Sequence, residues 1–170
     1  MKRPAKKFAL GALAVITIWI LFEHLLGFNT TRHDIGQYTR MFPMFFFLAM
    51  IFVAIYYRRR GLGNTLRFAE GFKTGIVMTL IFCAGFTTVI ILYQQFLNPE
   101  YFSTLHEFCK NKFAAEGLAP EEIDKKLSQL ERWQGSSAIS YLLLFVFSSI
   151  WGIIVSAIAS LILMRKPKSA

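Results

Sequence analysis

Apolar and polar positions along this chain come in long blocks, and four of the blocks are apolar. The clearest runs from Gly75 to Leu97, 23 residues without Asp, Glu, Lys, Arg or His. At about 1.5 Å per residue, such a helix covers a hydrocarbon layer of roughly 30 Å. Glu70 and Lys73, just ahead of it, stand three residues apart and share one helix face. Behind it, Asn98-Pro99 predicts a stop, because the proline ring disfavours helical backbone in the residue before it. Apolar blocks recur before Leu26, from Met41 to Tyr57, and from Ile139 to Met164. The predicted spans are about 8–26, 41–57, 74–97 and 139–164. Tyr56-Tyr57 followed by Arg58-Arg59-Arg60 closes the second as an aromatic and basic membrane boundary does. The first block has the basic start of a signal peptide, but Glu23-His24-Leu25-Leu26-Gly27 replaces any small-residue cleavage pattern, so an uncleaved helix is expected.

Between the third and fourth spans, residues 99–134 change period. Phe102, Leu105, Phe108 or Cys109, and Phe113 recur at three- and four-residue steps, and Gly117 is a natural stop. A second amphipathic pattern starts at Leu118-Ala119-Pro120-Glu121-Glu122-Ile123, with proline at the first helical position and acids in the first turn. Ile123, Leu127, Leu130 and Trp133 continue its apolar stripe. The expectation is a helical hairpin burying its stripes on each other, on the membrane surface or on a partner. The fold class expected is all-α, a polytopic membrane protein with four transmembrane helices in one membrane domain over residues 1–170. The hairpin lies between helices three and four.

Composition agrees. With 55% hydrophobic residues and 18 phenylalanines, a water-soluble chain of 170 residues would have to expose large apolar patches. The net charge of +9 sits in short clusters beside apolar blocks, which marks membrane flanks and not a nucleic-acid surface. Lys and Arg number four before the first span, five from Arg58 to Lys73 and three after the last, against two and five in the intervening segments. The positive-inside rule therefore puts both termini in the cytoplasm and the hairpin outside, in the periplasm if the membrane is a bacterial inner membrane. Cys83 in an apolar block and Cys109 in the hairpin differ in expected depth, so no disulfide is expected.

Small residues at four-residue spacing permit close helix approach in lipid. Gly71, Gly75, Thr79, Cys83 and Thr87 form one such series, and Ser148, Gly152, Ser156 and Ser160 another. The two helices carrying them are expected to be neighbours, within one chain or across a dimer. Glu23 and His24 are the ionisable residues closest to a span interior, either marking a polar path or snorkelling to the interface. Arg58, Arg59, Arg60, Arg67, Glu70 and Lys73 could meet lipid phosphates, although positive-inside anchoring accounts for the same residues. His24, His33 and His106, with Glu23, Asp34 and Cys109, share no ligand spacing, so no metal is expected. No phosphate-binding loop, nucleophile elbow or intramembrane carboxylate pair occurs, and neither catalytic residues nor a cofactor are expected.

Phe68-Ala69-Glu70-Gly71-Phe72-Lys73-Thr74-Gly75, Asn98-Pro99-Glu100 and Glu121-Glu122-Ile123 together resemble the bacterial family called domain of unknown function 4199. The resemblance extends over nearly the whole chain. Ala119 departs from it where a polar helix cap would be expected. It implies a small four-helix membrane protein and supplies no activity or site residue. The function expected is that of a non-enzymatic structural or interaction subunit acting through its outer hairpin and small-residue helix faces, with a homo-oligomer or another membrane protein as partner. The alternative is a small transporter or channel with Glu23 and His24 on its path.

Overall fold

A computed structural model describes residues 4–134 and 137–165. Lys2, Arg3, Lys166 and Lys168, which enter the charge count, and the side chain of Trp133 lie outside the described residues. The helices are α1 (Pro4–Leu25), α2 (His33–Thr39), α3 (Phe42–Gly61), α4 (Phe68–Leu92), α5 (Tyr101–Ala115), α6 (Pro120–Gln134) and α7 (Ala138–Leu163). A π-helical turn, Tyr93–Leu97, continues α4. No strand occurs among the described residues; a lone antiparallel bridge joins Leu66 to Arg165. Among the described residues, four helical runs are long and apolar enough to cross a membrane: Pro4–Leu25, His33–Gly61, Phe68–Leu97 and Ala138–Leu163.

One boundary differs from the sequence pattern. The short polar segment before the second span contains a helix of its own, α2, with Asp34 in its first turn. The third span begins as helix at Phe68, because Glu70 accepts a hydrogen bond from the Arg67 backbone N–H at 3.1 Å and so caps the first turn.

The chain divides into two compact units, residues 1–17, 42–86 and 147–170, and residues 18–41 and 87–146. In the first, α1 buries Ala5, Ala9, Ala12 and Ile16, one stripe at three- and four-residue steps. α3 buries Phe47, Ile51, Ala54 and Ile55, and α4 buries Met78, Thr79, Phe82 and Cys83. Phe47 and Phe82 stack with ring centres 4.2 Å apart. The C-terminal part of α7 buries Ser149, Gly152, Ser156 and Ser160 while Ile154, Ile158, Leu161 and Ile162 lie on the outside. That polarity is the reverse of a helix in water, and only a hydrocarbon environment makes it favourable.

In the second unit α1 ends in a glycine cap. Gly27, at φ +77°, gives its N–H to the His24 carbonyl, and Phe28 gives its N–H to the Glu23 carbonyl. This positive φ is the left-handed turn that glycine adopts without steric cost. Gly117 ends α5 in the same way, through Ala114 and Phe113. α5 and α6 are in contact, with Leu105, Ile123 and Leu127 buried and the Lys126 ammonium 5.0 Å from the Phe113 ring centre.

Candidate functional site

The second unit contains a buried polar cluster that grows from three local features: the glycine-capped end of α1, the segment around α2, and the π-helical turn after α4. In that turn the Asn98 N–H reaches the Tyr93 carbonyl five residues back, at 2.8 Å. The turn re-aims Tyr93 and Asn98, both buried, towards one another. The Asn98 amide donates to the Asn29 carbonyl at 2.8 Å and to the Tyr93 hydroxyl oxygen at 3.1 Å, which uses both of its N–H groups. The Tyr93 hydroxyl also shares a hydrogen bond with His24 Nδ1, at 3.0 Å. The Asn29 amide in turn donates to Glu23 Oε2 at 3.3 Å. Glu23 is 2% exposed, and its other oxygen, Oε1, is buried with no hydrogen-bond partner among the described residues.

Beside this chain of bonds lies a second one. Arg40 Nη2 donates to His33 Nδ1 at 3.0 Å, and His33 Nε2 pairs with Thr104 Oγ1 at 3.0 Å. A guanidinium can only donate, so Nδ1 is the acceptor and the ring proton sits on Nε2, which donates to the threonine. The Arg40 guanidinium also lies 5.6 Å from the Tyr101 ring centre. Burial pushes the Tyr101 hydroxyl above the usual tyrosine range, with Arg40 opposing. Burial likewise raises the Cys109 thiol, against Arg40 and Lys112. Chemically, the cluster fastens the start of α5 to the end of α1 and to α2, and it holds one under-bonded carboxyl group.

The first unit holds two other groups of interest. Along the seam between α4 and α7, Gly71 faces Ser160, Gly75 faces Ser156, Gly152 faces Thr79 and Cys83 lies beside Ser149. A Cβ at Gly75 would overlap Ser156 Oγ and Cβ, and one at Gly152 would stand 2.5 Å from Thr79 Cγ2. Ser156 and Ser160 turn their hydroxyls back onto the carbonyls of Gly152 and Ser156, both at 2.6 Å. The seam is therefore steric, and it lies within the chain. Of the residues singled out from spacing, Ser148 is half-buried, with Ser149 the buried neighbour, and Thr87 belongs to the second unit. The step from Gly152 back towards the start of α7 is three residues, which four-residue counting passes over.

Arg58, Glu70 and Lys73 line a cavity of about 500 Å³ with Pro4, Ala5, Thr74 and Val77. Arg59 and Arg60 instead lie over the Tyr56 ring at 5.6 and 5.5 Å, and the Arg67 side chain is exposed. His106 is exposed, whereas His24 and His33 are engaged as above. Among the described residues no three His, Cys, Asp or Glu side chains gather as a metal site would require.

The polar cluster was only half visible in the sequence. Glu23, His24 and His33 stood out, but Asn29, Arg40, Tyr93, Asn98 and Thr104 read as ordinary interface or helix-ending residues. The signal available was the run Tyr93-Gln94-Gln95 inside the last turn of an otherwise apolar span. A family model described as "Protein of unknown function (DUF4199)" matches residues 7–165. No curated protein and no solved structure matches the chain.

Proposed function

This chain belongs to the DUF4199 family, whose description carries no activity, and from its own residues we propose that it is a non-enzymatic, multi-pass protein of a bacterial inner membrane. In this reading both termini are cytoplasmic. α5 and α6 form a rigid hairpin on the outer side, where they dock another membrane protein or a second copy of the chain. The observation that carries the reading is the Glu23, Asn29, Asn98, Tyr93 and His24 hydrogen-bond chain, joined by the link from Arg40 through His33 to Thr104. A flexible loop does not need such fastening, but a platform that presents a fixed surface does. The outward positions of α5 and α6, among them Glu107, Lys110, Glu121 and Lys125, are charged, as suits a polar partner surface. The small-residue faces of α4 and α7 are occupied by each other, so docking falls to the hairpin.

The test is cross-linking through Lys110 in native membranes, paired with a membrane-impermeant maleimide directed at Cys109. One discrete cross-linked species and labelling from the outer face are expected. A solitary monomer, or Cys109 reached only from the cytoplasm, would overturn the reading.

A second reading, a small transporter or channel, draws on the unpartnered Oε1 of Glu23, since a buried carboxyl in a membrane helix is often part of an ion or proton path. Flux through proteoliposomes should then fall at least about tenfold in Glu23→Gln, the scale of removing an essential proton carrier. Unchanged flux in Glu23→Gln and His24→Ala removes this reading.

A further inference from the structure

The cavity in the first unit collects side chains from three helix ends, and its charges are of both signs. Ala5 comes from the first turn of α1, Arg58 from the last turn of α3, and Glu70, Lys73, Thr74 and Val77 from the first turns of α4. Each of these helices belongs to a run long enough to cross a membrane, so a cavity at their ends lies at headgroup depth. Its volume, about 500 Å³, falls in the range of small-molecule sites. A bare phosphate would be drawn by Arg58 and Lys73 but repelled by Glu70. A bare cation would meet the opposite conflict.

Glu70 is held in place from its own helix end. Its Oε2 accepts the Arg67 backbone N–H at 3.1 Å, which orients the carboxylate, and a carboxylate keeps acceptor capacity after one such bond. None of the described residues lining the cavity is aromatic. A quaternary ammonium, which has no N–H to donate and is usually held by aromatic faces, finds no partner here. A primary ammonium can donate directly to Glu70.

We infer that this cavity is a binding site for a phosphodiester headgroup that also carries a primary ammonium, with phosphate at Arg58 and Lys73 and ammonium at Glu70. Val77 and Ala5 form the apolar wall along which the glycerol end leaves towards the hydrocarbon. The ligand chemistry is that of phosphoethanolamine, whether as a phospholipid or as the free phosphate ester.

The experiment uses the full-length chain in detergent micelles, offered equal amounts of phosphatidylethanolamine, phosphatidylcholine and phosphatidylglycerol with the same acyl chains. Retained lipid is read by native mass spectrometry. Phosphatidylethanolamine is expected about fivefold above phosphatidylcholine, the upper range for one partly exposed ion pair. Glu70→Gln, which keeps the capping hydrogen bond and removes the charge, should erase that preference and raise phosphatidylglycerol retention, since the repulsion of its phosphate is gone. Lys73→Gln, at an exposed position, should lower retention of both phosphatidylethanolamine and phosphatidylglycerol about threefold. Free phosphoethanolamine, added in excess, distinguishes the sources: displacement of the lipid assigns the headgroup alone as ligand, and persistence of the lipid assigns the phospholipid. Equal retention of the three lipids, a preference for phosphatidylglycerol in the unaltered chain, or a preference that survives Glu70→Gln would overturn the inference.

Discussion

The two units of this protein are held by opposite means. In the first, α4 and α7 meet through residues chosen for what they lack, Gly71, Gly75 and Gly152 against Ser160, Ser156 and Thr79, and the serine hydroxyls bond within their own helix. In the second, contact runs through side chains that reach across: Asn98 to Asn29, Tyr93 to His24, Arg40 to His33 and His33 to Thr104. A steric seam tolerates loss of polarity but no added volume. A hydrogen-bonded cluster tolerates modest changes of volume but no loss of a partner.

That contrast can be broken at several points. Gly75→Leu should have the largest effect, because the new side chain must displace Ser156 including its backbone Cα; a loss of about 3 kcal/mol or more is expected in unfolding from mixed micelles. Gly36→Ala comes next and tests a place where the second unit is also steric. A Cβ there would run into the Phe28 backbone carbonyl, which cannot rotate aside, for a loss of about 2 kcal/mol. Asn98→Leu conserves size and removes both donors, leaving the Asn29 carbonyl and the Tyr93 hydroxyl short of a bond. The expected cost is about 1–2 kcal/mol, and a neutral result would mean that the cluster does not hold the second unit.

Tyr101 offers a milder probe. Its folded-state hydroxyl is raised by burial, so above a pH of about 10 the unfolded chain loses that proton first, and stability falls as pH rises further. Tyr101→Phe should flatten the alkaline limb of the stability profile and leave the neutral region nearly unchanged. Smallest of all, Ser156→Ala should shift stability by no more than about 0.5 kcal/mol, since the hydroxyl bonds only its own helix. A large loss there would show that the seam is polar after all.

The spans were legible because an uncharged apolar block of bilayer length is stable in few settings besides lipid. The third span, α4 with its π-helical turn, ends at Leu97 as Asn98-Pro99 predicts. The partners of Gly71, Gly75 and Gly152 followed partly from four-residue spacing, but the choice of Ser149 over Ser148 depends on the angular drift of a real helix. The polar cluster was least legible. Its members are polar residues at helix ends, where water or lipid headgroups could serve them equally well, and only the π-helical turn decides that Tyr93 and Asn98 point inward. The cavity has the same character: charge bias accounts for Arg58 and Lys73 alike, and only the structure separates them, with Glu70, from Arg59, Arg60 and Arg67 as residues lining one cavity.

The clasp between Leu66 and Arg165, two backbone hydrogen bonds of 3.0 and 2.9 Å, has a bearing on biosynthesis. It joins the approach to α4 to the residue just beyond α7, so it cannot form until α7 has left the ribosome. Until then the glycine groove of α4 lies open in the lipid, available to any other helix with a small-residue face. A nascent chain stalled before α7 is thus a species that a membrane protease or chaperone can recognise by its open groove.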